Sequence, residues 1–88
     1  MSYRELRDRV EMLKKRLTPE VAEQAVKKLI EEEGEDIGGG INASRLVRHL
    51  LGDAHLSDQE TMWAYGKLKV AFHGVFDKIP SLYYFEGD

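Results

Sequence analysis

Glu31-Glu32-Glu33-Gly34-Glu35-Asp36-Ile37-Gly38-Gly39-Gly40-Ile41-Asn42 is the stretch on which the fold turns. Four glycines fall within seven residues of it, from Gly34 to Gly40. Each is roughly 1 kcal/mol worse than alanine in a helix, so no helix crosses this segment. The chain on either side carries helical periodicity, and the break therefore divides it into two helical halves.

Before the break, Tyr3, Leu6, Val10, Leu13 and Leu17 recur at steps of three and four, a narrow apolar seam. Thr18-Pro19 ends that helix and starts the next, since threonine caps and proline suits the first helical position. Val21-Ala22, Ala25-Val26 and Leu29-Ile30 give the second helix its stripe, to about Glu33. So short a connection predicts an antiparallel αα-hairpin over residues 1–33, with the seam packed on the second helix. Charge fits that pairing. Residues 2–17 hold six basic against three acidic side chains, and residues 18–36 hold two against seven. The hairpin register sets Glu31 opposite Arg4 and Lys27 opposite Asp8.

After the loop at 34–42, Asn42 caps a third helix from about Ala43 to Leu51. Leu46, Val47, Leu50 and Leu51 face inward, Arg45, Arg48 and His49 outward, and Gly52 stops it. Ser57 and Glu60 form a capping box for a fourth helix reaching about Phe76. Its apolar residues (Met62, Trp63, Tyr65, Leu68, Val70, Phe72, Val75 and Phe76) cover more than one face, as expected of a central helix or one that also meets a partner. Residues 77–88 form a tail. Its Leu82-Tyr83-Tyr84-Phe85 has strand propensity but no evident second strand. Docking of Tyr83 or Tyr84, with Phe85, on the fourth helix or on a partner copy is the expectation. The fold class is thus all-α: a small four-helix domain made of a hairpin, a glycine-rich loop, a second helix pair over 43–76 and an aromatic tail.

The chain has 88 residues, no cysteine and a net charge of −3. That length fits one domain and leaves no room for a buried catalytic cavity with its own supporting shell. Lack of cysteine removes disulfides, zinc–thiolate sites and thiol catalysis, and fits a reducing cytoplasm. The charged start, Met1 to Glu5, lacks the pattern of a signal peptide, and no apolar run approaches a membrane span. Slight acidity argues against a chain-wide grip on nucleic acid or anionic membrane.

No candidate chemistry survives its ordinary explanation. The acidic run lacks the ligand spacing of a calcium loop, and ion pairing within the chain explains it better. His49, His55 and His73 lack the spacing of a helical metal pair, and the three glycines lack the ending of a phosphate loop. No catalytic group, metal ligand or cofactor site is expected. The expected role is a non-catalytic protein-binding domain, regulatory, inhibitory or accessory, possibly self-associating. Trp63, Tyr83, Tyr84 and Phe85 are the partner-binding candidates, because aromatic residues dominate interface hot spots. The alternative is a DNA-binding regulator using helices 43–51 and 58–76, with Arg45, Arg48, Lys67 and Lys69 on the nucleic acid. Asp58 and Glu60 open its would-be recognition helix, which weakens that reading.

Overall fold

The computed structural model describes residues 2–36 and 38–83, with the side chains of Phe72 and His73 set aside. Among them are four helices, α1 (Tyr3–Arg16), α2 (Pro19–Glu33), α3 (Ala43–Leu51) and α4 (Asp58–Phe76), and two short strands, β1 (Ile41–Asn42) and β2 (Leu82–Tyr83). The protein is an all-α domain.

Local chemistry sets the helix ends. The Glu5 backbone N–H donates to Ser2 Oγ at 3.2 Å, and the Val21 N–H to Thr18 Oγ1 at 3.2 Å, with Pro19 opening α2 behind it. Asn42 Oδ1 accepts from the Arg45 N–H at 3.0 Å and from Ser44 Oγ at 2.8 Å. At α4 the Glu60 N–H donates to Ser57 Oγ at 3.1 Å while Glu60 Oε1 accepts from the Ser57 N–H at 3.2 Å, a reciprocal capping box. Gly52 closes α3 in the left-handed conformation.

The apolar seam is buried from Leu6 through Val10 and Leu13 to Leu17, but α2 is not its main cover. α1 lies chiefly along α4 and secondarily on α3, whereas α2 finds its main neighbour in α3. The hairpin expected over residues 1–33 therefore opens, and its ion pairs do not form among the described residues. Lys27 instead reaches Glu23 on its own helix, at 3.7 Å. The reason is apolar: Ala64, Tyr65, Leu68 and Phe76 of α4, with Leu46 and Val47 of α3, offer the seam more surface than the small Ala22 and Ala25 of α2. Exposed ion pairs worth about 0.2–1 kcal/mol cannot outweigh that.

The aromatic tail does have a second strand. β1 pairs in parallel with β2, Ile41 beside Leu82 and Asn42 beside Tyr83, and the Ile41 N–H donates to the Ser81 carbonyl at 3.0 Å. The glycine run makes this possible. Gly38 and Gly39 adopt positive φ (101° and 86°) to turn the chain. At Gly40 an added Cβ would stand 2.1 Å from the Ser81 carbonyl oxygen, so only glycine permits the approach. Fully buried Ile41 and Ile79 then anchor the two ends of the joint. The expected docking of the tail on α4 is corrected accordingly for Tyr83; Tyr84 and Phe85 lie outside the described residues.

Candidate functional site

Two of the residues singled out for nucleic acid, Arg45 and Arg48, make ion pairs within the chain. Arg45 and Arg48 were expected to face out from α3, yet their side chains retain only 22% and 23% exposure. Arg45 reaches back across the glycine loop, pairing closely with Asp36 Oδ1 and, at 3.3 Å, with Glu33 Oε2. Glu33 and Asp36 of the acidic run are thus held within the chain, from α3 rather than α1. Asp36 is itself a hub. It accepts the Asn42 backbone N–H at 3.3 Å and binds the Gly40 carbonyl through its own N–H at 2.6 Å. Arg48 donates to the Leu56 carbonyl at 3.2 Å and to Asp58 Oδ1 at 2.8 Å, clamping the α3–α4 loop to the start of α4. Loop carbonyls and carboxylates brought within reach of α3 draw these guanidiniums in, which spacing along one helix could not reveal.

Tyr83 joins the same hub. Partial desolvation, then the hydrogen bond from its hydroxyl to the Asp36 carboxylate and that carboxylate's charge, hold its phenol above the ordinary value of 10.0, while Arg45 pulls the other way. Two candidates from rival readings, Tyr83 and Arg45, therefore meet on one carboxylate.

Trp63 sits elsewhere. It is half-buried on α4, packed against the core on one side and against Tyr3 on the other, ring centroids 5.8 Å apart and edge to face. Lys67, one turn on, stands 5.7 Å above the indole ring, and Lys69 lies 5.7 Å from the ring of Tyr65. Both lysines thus lie against aromatic rings. Tyr3, Arg4, Arg7 and Trp63 border a shallow recess of about 320 Å³. Arg4 and Arg7 have no ion-pair partner among the described residues.

Along the outside of α4, next to this recess, Met62 is 39% exposed and Val70 88% exposed. Sequence reasoning noted that α4 has too many apolar residues for one face without saying which lay outside. The signal was there: Ala64, Tyr65, Leu68 and Phe76 fit one helical stripe, and Met62 and Val70 fall off it. A second recess, about 400 Å³, opens where α1 and α2 part, lined by Leu13, Val21, Ala25 and Leu50 among others.

Among the described residues no group of three or more His, Asp or Glu is placed to hold a metal, and no helix is long and apolar enough to cross a membrane. Comparison with protein-family models, with curated proteins and with solved structures found no match to this chain.

Proposed function

We propose that this chain is a small non-catalytic protein-binding domain, of regulatory, inhibitory or accessory role, whose docking surface is the outer face of α4 with the adjoining start of α1. The observation that carries the reading is Val70, almost wholly in water on a helix whose inner face is already filled, about two turns from Met62 and the half-buried Trp63. A contiguous apolar strip around an aromatic anchor is the usual form of a protein contact. Arg4, Arg7 and Lys67 lie along one border of the strip. A chain without cysteine suits a reducing cytoplasm, and we place its partner there.

The test compares capture from the native host by the wild-type chain and by Val70→Glu, followed by titration of the purified captured protein against both. Loss of binding in the variant, with its melting temperature kept, supports the reading; equal binding by the two overturns it. The DNA-binding alternative has less support, since Arg45 and Arg48 are spent on Asp36, Glu33 and Asp58. Duplex binding no tighter than about 10⁻⁵ M at physiological salt is expected, the range of non-specific contacts. A sub-micromolar, sequence-dependent gel shift would restore the alternative.

A further inference from the structure

The exposed stripe of α4 has an order of its own. Every fourth residue from the first turn reads Asp58, Met62, Gly66, Val70, Gly74 and, in the turn just past the end of α4, Lys78, and all six are exposed. Among the described residues nothing within the chain calls for Gly66 and Gly74. Neither takes a positive φ, and a Cβ added to either would meet none of the described atoms within 4 Å. Glycine is a poor residue for a helix interior, so some other contact must want the space.

Reversed, the series reads Lys, Gly, Val, Gly, Met, Asp. Laid antiparallel on itself, it places each large side chain opposite a hole: Met62 against Gly74 of the other copy, and Val70 against Gly66. At both ends Asp58 falls beside Lys78, opposite charges in each case. Asp58 keeps a 93% exposed side chain even while one oxygen serves Arg48. A spacing of four drifts about 40° around the helix per step. The stripe is therefore a ridge of the kind that interdigitates with its own copy at a crossing near −50°. Contact is then closest at Gly66 and Val70, and the charges lie at the rim, where they orient the approach.

We infer that the occupant of this face is a second copy of the chain, the two α4 helices crossing antiparallel about a two-fold axis near Leu68, an inference that rests on the docking reading above. An isologous contact of one helix pair is small, so the dimer is weak and concentration-dependent.

Sedimentation equilibrium with light scattering tests it on the whole chain. Apparent mass should rise from one chain towards two through the micromolar-to-millimolar range. Val70→Glu should hold it at one chain. Gly66→Ala separates interface from fold, because it should raise the melting temperature of the monomer, alanine being the better helix former, while weakening self-association roughly tenfold by filling the hole. The register is read by cross-linking, which a cysteine-free chain allows. An equimolar mixture of Gly66→Cys and Val70→Cys chains should oxidise mainly to the mixed disulfide. A mass of one chain at every concentration, a dimer indifferent to Val70→Glu, or a predominance of like-with-like disulfides overturns the inference. If the wild type stays monomeric yet Val70→Glu still loses a captured protein, only the choice of occupant fails; if capture is also unchanged, the docking reading fails with it.

Discussion

The joint of β1 with β2 and the outer face of α4 handle their side chains in opposite ways. At the joint, charged and polar groups that would be expected in water are drawn in. Arg45, Asp36, Asn42 and the Tyr83 hydroxyl satisfy one another around a glycine turn. On α4, apolar groups that would be expected inside are left out, Val70 above all. Conspicuous charge thus marks the place where the chain closes on itself, and plain aliphatic surface marks the place where it is open. A polar residue that has found partners has little left for a ligand, whereas an exposed valine still has its burial energy to gain.

The sharpest way to break this contrast is at Gly40. Gly40→Ala drives a methyl into the Ser81 carbonyl, a backbone atom that cannot swing aside. About 1–2 kcal/mol of destabilisation is expected, a fall in melting temperature of several degrees by calorimetry, because undocking the tail is the most the clash can force. Deleting residues 81–88 removes the joint outright and should cost ~1–2 kcal/mol, a drop of several degrees. In that truncated chain Gly40→Ala should be nearly neutral, since the atom it strikes is gone. A full penalty there would mean that the strand contact is not why glycine stands at 40.

Arg45→Ala comes next. It leaves Asp36 partly desolvated without its cation, for about 1–2 kcal/mol in chemical denaturation, and should change no nucleic-acid binding. Val70→Glu, on the open side, should fall within about ±0.5 kcal/mol of wild type, because Val70 is 88% exposed. A large loss of stability would show that Val70 is packed after all. Smallest is the alkaline response of Tyr83. Its pKa is raised in the folded chain, so the stability it contributes is complete below the ordinary tyrosine value and is lost as pH rises through the elevated one. Tyr83→Phe should remove that alkaline component from melting curves and delete one phenol titrating above the ordinary value from an ultraviolet titration; a loss confined to the ordinary tyrosine range would break the link to Asp36.

Helix boundaries were legible in the sequence because they are made by contacts three residues apart. Ser2, Thr18, Asn42 and the Ser57–Glu60 box each cap the helix that they precede. The seam of α1 was legible too, for burial follows from the spacing of Leu6, Val10, Leu13 and Leu17 alone. Trp63 was singled out as a partner-binding aromatic; its packing on the core and its edge contact with Tyr3 were not legible in the spacing. The strand partner of the tail was missed because it lies some forty positions away and is only two residues long. Its trace in the sequence, the third glycine of Gly38-Gly39-Gly40, reads like the other two until the backbone beside it is known.

What the sequence by itself determined is where each helix starts and stops and which of its sides is apolar, since capping and periodicity are short-range and act before any element meets another. Tertiary structure decided which helix covers the seam of α1, which carboxylate receives Arg45, and which strand the tail joins. Those choices depend on comparing buried areas and desolvated charges among elements far apart in the chain, where a few kilocalories separate alternatives that local spacing leaves equal.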